Sequence, residues 1–140
     1  MNPILVISAG SSFILALLHV WIAWKGAPAY RFFGAGEGMA RSAERGSPAP
    51  AVLTLGLALM FAAFGCYALA GAGAIPPLPF QAPVLWGIGS VYALRGLAVF
   101  AELVMIRQGR AVAPQNPWFS LAALLIGVFH LWGSSLGGVS

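Results

Sequence analysis

The chain is short of charge. Of its 140 residues only 7% are Asp, Glu, Lys or Arg, against roughly 25% in an ordinary soluble domain. Ten charged side chains cannot cover a folded domain in water, so a soluble globular fold is excluded. Aspartate is missing altogether, and the glutamates are Glu37, Glu44 and Glu102 alone. With two histidines, His19 and His130, this inventory yields no nucleophile–base–orienter set, no zinc site and no phosphate loop. No catalytic residue and no metal ligand set is read, and an enzyme is the disfavoured class. The single cysteine, Cys66, excludes a disulfide within the chain, and its place in an apolar run reads as small-residue packing in a core. The net charge of +4 comes without any Lys/Arg cluster, so no nucleic-acid partner is expected.

Apolar residues are what the chain has in quantity, at 60%. They fall into four runs of near ~20 residues, the length that crosses a bilayer as a helix: about 3–24, 51–73, 83–106 and 117–136. The expected fold is all-α, a single transmembrane domain over residues 1–140 made of four antiparallel transmembrane helices, with a polar loop at 25–50. Each run opens at or beside a proline (Pro3, Pro50, Pro83, Pro117), tolerated in a first turn because its missing N–H has no intrahelical partner there. Asn2 and Asn116 stand where N-caps belong, and Gly26, Gly73 and Gly109 where helices should stop. The first run has no basic segment before it, so it reads as a retained helix and not a signal peptide.

Orientation follows from the basic residues. Lys25, Arg31, Arg41 and Arg45 lie in or beside the first connection and Arg107 and Arg110 the third, while the second connection and both chain ends have none. Cytoplasmic loops are enriched in Lys and Arg, which puts both termini on the outer side. Within the loop, Tyr30, Phe32 and Phe33 beside Arg31 read as aromatic anchors at headgroup level. The stretch EGMARSAER reads as a short surface helix with a Glu37–Arg41 pair at i, i+4. The five tryptophans lie near segment ends as an interfacial belt.

Against this background the third run stands out, because it carries Arg95 and Glu102. An ionisable side chain at membrane depth is costly unless it is paired or lines a polar cavity, so both must face inward. They are seven residues apart, two turns, and share a helix face. At ~1.5 Å per residue, Glu102 and His19 lie about 6–8 Å from the cytoplasmic end of their helices, and Arg95 and His130 at roughly 16–20 Å. A Glu102–His19 pair, or a relay between them, is expected in the lower tier. Arg95 needs a brace to Glu102, backbone carbonyls, water or a bound anion, with Tyr92, Ser90 and Tyr67 as further polar groups. The candidate ligand-binding or proton-relay residues are thus Arg95, Glu102, His19, His130, Tyr92 and Tyr67. No cofactor is expected. A bis-histidine haem is opposed by the ~12 Å difference in depth between His19 and His130, which leaves haem or a pigment on one histidine as the minor alternative.

The first-helix HVWIAW, the FGAGEGMA turn and the Leu-Arg-Gly of the third run resemble families of small four-helix bacterial inner-membrane proteins of unknown function. The resemblance implies a bacterial inner membrane, with periplasmic termini, and no activity. Together these readings point to an accessory subunit of a membrane complex or a binder of a lipophilic or anionic small molecule. The alternative is a small oligomeric proton-coupled transporter using Glu102 and His19. Membrane lipids, further copies of the chain or a larger complex are the expected partners.

Overall fold

The computed structural model describes residues 1–136, and every regular element among them is a helix. In chain order these are α1 (Pro3–Lys25), α2 (Ala27–Phe32), α3 (Glu37–Glu44), α4 (Ala49–Gly71), α5 (Gln81–Gly96), α6 (Ala98–Arg107) and α7 (Asn116–Leu136). Helices α1, α4, the α5–α6 pair and α7 are the four that are long and apolar enough to cross a membrane. This is an all-α membrane protein, as the four apolar runs require.

The punctuation works through the atoms expected of it. The Asn2 side-chain oxygen accepts the N–H groups of Ile4 and Leu5, capping α1 just ahead of Pro3. After α4, Gly73 takes a positive φ of 76°. The Ala74 N–H then reaches back to the Leu69 carbonyl at 3.0 Å and that of Gly73 to Ala70 at 2.9 Å, closing the helix end. Asn116 departs from expectation: α7 begins at that residue itself, so it is not the cap.

The third apolar run is one span with a flaw. Leu97 separates α5 from α6, with the Phe100 N–H bonded to the Leu97 carbonyl three residues back, a tightened turn. The cause sits next door. A side chain on Gly96 would collide with the Leu124 backbone, so α7 passes hard against the third span at this level. Gly127 makes the reciprocal approach, where a Cβ would stand 2.5 Å from the Ala93 nitrogen, and Gly89 meets Leu131. The contacts climb α5 from 89 to 93 to 96 while descending α7 from 131 to 127 to 124, so the two helices are antiparallel. Small residues at a crossing let backbones approach and gain dispersion contacts where lipid offers no hydrophobic drive. Gly89, Gly96 and Gly127 thus sit at the crossing, whereas Gly56 and Gly87 face open space.

Two compact units are distinguished: residues 1–11 with the chain from 64 onward, and residues 12–63. In the first, Asn2 joins three elements. Besides capping α1, it donates from its side-chain amide to the Gly133 carbonyl at 2.8 Å and from its backbone to Ala72 at 2.9 Å. Leu5 and Leu85, both fully buried, fill the space left by Gly71 and Gly133. In the second unit, Ile22, Ala27, Ala29, Tyr30 and Ala40 form a small core, flanked by Leu18, Phe33, Met39 and Ala43.

Two expectations need correction. Tyr30 is no interfacial anchor: it is 1% exposed, because the α2–α3 hairpin folds over it, and Phe32 is the exposed ring of that group. Cys66, read as a core packing residue, is exposed on α4, since Gly65 and Ala68 take the inward positions around it. The five tryptophans are all exposed, from Trp21 at 43% to Trp24 at 76%.

Candidate functional site

Arg95 lies in the last turn of α5, two residues before the irregularity at Leu97, and Glu102 lies in α6. Between them stands Ser120 of α7, which is 0% exposed. An Arg95 terminal N–H (Nη1) donates to the Ser120 hydroxyl at 2.8 Å, and that hydroxyl donates to Glu102 Oε1 at 3.1 Å. One hydroxyl thus accepts from the cation and donates to the carboxylate. Among the described residues no ion pair within 4.0 Å joins Arg95 to a carboxylate. The expected brace between Arg95 and Glu102 therefore exists through a third residue on a different span.

The line is incomplete at both ends. Glu102 is partly buried, and its second oxygen, Oε2, is buried with no hydrogen-bond partner. Leaving a buried polar atom unpaired costs roughly 1–3 kcal/mol, more when it is charged. Arg95 is exposed, and its bond to Ser120 uses one of five guanidinium donors. A cation with spare donors and a carboxylate with a spare acceptor stand at the same serine.

His130 is the other buried polar group of α7, at 0% exposure. Its Nδ1 lies 3.0 Å from the Ile126 carbonyl, so that nitrogen carries a proton and donates it there. Nε2 is buried and has no partner. The ring packs at 5.2 Å on Tyr92, which in turn meets Phe64 edge-on at 5.8 Å. Arg95 and His130 were expected at one depth, yet the structure gives them separate neighbours: His130 meets Tyr92, and Arg95 turns to Ser120. His19 has its partners in α1 and α4, with Nδ1 at 2.8 Å from the Leu15 carbonyl and its ring 4.8 Å from Phe61. Tyr67 donates to the Pro79 carbonyl at 3.1 Å, tying the second connection to α4. Among the described residues no group of three His, Cys, Asp or Glu side chains is placed to hold a metal ion.

Ser120 is the residue that the sequence reading missed. A signal was there. Three residues inside the Pro117 start of a span, its hydroxyl falls at about 5 Å depth, level with Glu102. Depth along a span orders hydroxyls as well as ionisable groups.

The remaining charge chemistry is in the loop. Arg31 grips Glu37 with two parallel bonds of 3.0 and 2.9 Å and reaches Glu44 at 2.7 Å; Arg41 adds the expected i, i+4 bond to Glu37 at 3.1 Å. Hydrogen bonds from Arg31 hold the Glu37 carboxyl down at about 2 and lower that of Glu44 as well, and Glu37 in turn raises the guanidinium of Arg31. These side chains are about half exposed, so the network orders the hairpin more than it stabilises it. Compared with known proteins, the chain matches no family model, no curated protein and no solved structure.

Proposed function

We propose that the protein is a non-enzymatic component of the bacterial inner membrane that binds a lipophilic molecule with an acidic head, held at Arg95. The observation that supports this reading is the open Arg95–Ser120–Glu102 line. Arg95 is exposed on an apolar span with a neutral hydroxyl as its bonded partner, so an anionic group would satisfy its spare donors. A carboxylate or phosphate head is the group that matches those donors. In this reading the basic connections face the cytoplasm and the termini the periplasm.

The test is purification in mild detergent from native membranes, with mass spectrometry of retained small molecules and protein partners. Wild type retains a specific acidic amphiphile, and Arg95→Gln loses it while Arg110→Gln does not. Identical retention in all three would overturn the reading. Co-purification of a larger complex unaffected by Arg95→Gln would favour an accessory subunit instead.

The orphan Glu102 oxygen favours one second reading, proton-coupled transport by an oligomer that uses Glu102 and His19. It requires Glu102→Gln and His19→Gln each to abolish acid-driven uptake of the retained compound into liposomes. Binding alone requires no uptake at all.

A further inference from the structure

A second place for a ligand lies in the loop unit, away from Arg95. Gly38, Met39 and Ser42 of α3 face Ala49, Pro50 and Leu53 at the start of α4 across an open groove of about 290 Å³. Its walls are apolar except for the Ser42 hydroxyl. Helix α3 is amphipathic: Ala40 is buried against the loop core, while Glu37, Arg41 and Glu44, with Arg45 just past the helix end, are exposed. The far wall belongs to a spanning helix whose next apolar residues, Val52 and Leu53, are exposed at 67% and 57%. The groove therefore opens where headgroups give way to acyl chains.

Charge decides which lipid fits. Arg45 is seven residues beyond Gly38 and three beyond Ser42, so it continues the face of α3 that lines the groove. Its Nε donates to the Arg41 carbonyl at 3.3 Å, and the side chain is exposed just beyond the groove-lining residues. Both loop carboxylates are committed to Arg31, and among the described residues no ion pair reaches Arg45. Residues 25–50 hold four cations (Lys25, Arg31, Arg41, Arg45) against two carboxylates (Glu37, Glu44), an excess of two positive charges. With neither carboxylate free, nothing in the hairpin would welcome the ammonium of a zwitterionic headgroup.

We propose that this groove is a binding site for an anionic phospholipid, its acyl chain along Met39, Pro50 and Leu53 and its phosphate on Arg45. The site rests on the membrane assignment and is independent of the Arg95 reading.

The test uses the full chain in mild detergent, offered equal amounts of phosphatidylglycerol and phosphatidylcholine with the same acyl chains, with bound lipid counted by native mass spectrometry. Wild type prefers phosphatidylglycerol by about fivefold at low salt, the ratio expected per basic residue at an anionic surface, and the preference shrinks as salt rises. Arg45→Gln brings the two lipids level, whereas Arg110→Gln, a cation outside the groove, leaves the preference intact. Gly38→Leu fills the groove, since nothing lies within 4 Å of the Cβ it would add, and lowers retention of both lipids. Circular dichroism and amide exchange of α3 confirm that each variant is folded. An unchanged preference in Arg45→Gln overturns the proposal, as does an equal loss in Arg110→Gln, which would mean that net charge alone selects the lipid. Full retention by folded Gly38→Leu overturns it too.

Discussion

Adding one methyl group at the α5–α7 crossing tests the packing on which the Arg95 line depends. In Gly127→Ala the new Cβ would start 2.5 Å from the Ala93 nitrogen and 2.8 Å from its Cα, and in Gly96→Ala it would strike the Leu124 backbone. Carbon atoms pack at about 3.5–4.0 Å, so the helices must part by about 1 Å, and a gap of that size forfeits up to half of each dispersion contact along the seam. The clashing atoms are backbone, so no rotamer change relieves them. Overpacking of this kind costs about 1–3 kcal/mol per site, and it outweighs the ~1 kcal/mol that Gly→Ala returns in helix propensity. Gly87→Ala is the control: it lies on the same helix with nothing within 4 Å, so only the propensity gain applies. The assay is unfolding in mixed micelles against mole fraction of sodium dodecyl sulfate, followed by tryptophan fluorescence. The expected order of midpoints is Gly87→Ala at or above wild type, with Gly96→Ala and Gly127→Ala clearly below. Should all three variants unfold together, the close crossing is not what holds α5 to α7.

Removing the bridging hydroxyl by Ser120→Ala strips a hydrogen bond from each of two charged groups and should cost about 2 kcal/mol in the same micelle assay. Arg31→Ala frees Glu44, leaves Glu37 with Arg41 alone, and should speed amide exchange across α3, with little change in the spanning helices. The pH dependence of that hairpin has a definite sign. A Glu37 carboxyl held at about 2, against an ordinary 4.5, contributes fully above pH 4.5 and loses its contribution as pH falls toward 2. Protection factors of the α3 amides in wild type should therefore fall across that window, earlier in high salt, and in Arg31→Ala, where Glu37 keeps only Arg41, the fall should be smaller. Cys66, exposed on an apolar span, should resist a charged, membrane-impermeant thiol reagent in intact vesicles and react once the protein is in detergent.

The four spans were legible because length and hydropathy are one-dimensional properties, and so were the stops at Gly26, Gly73 and Gly109, all of which adopt positive φ. The fate of Cys66 was not legible. In a chain that is apolar all round, hydropathy does not separate the face turned to lipid from the face turned to protein. The same ambiguity hides which glycines make helix contacts: Gly127 and Gly133 do, while Gly56 and Gly87 face open space. For the site, a spacing of seven residues located Glu102 and Arg95 on one face but could not name their neighbour. Helix rotation decides that, and the crossing at Gly96 and Gly127 sets the rotation.

The hydroxyl at position 120 has a single proton, and that fixes a direction. It now points from the guanidinium side toward the carboxylate, so the three groups form a polarised wire with one rotor in the middle. Were Glu102 to take up a proton on Oε1, the serine would have to receive where it now gives. Its own hydrogen would then swing elsewhere, with the carbonyl one turn back on its helix as the natural landing place. A change of one charge on α6 would thereby be written into the backbone of α7 and felt by the arginine, with no helix having moved.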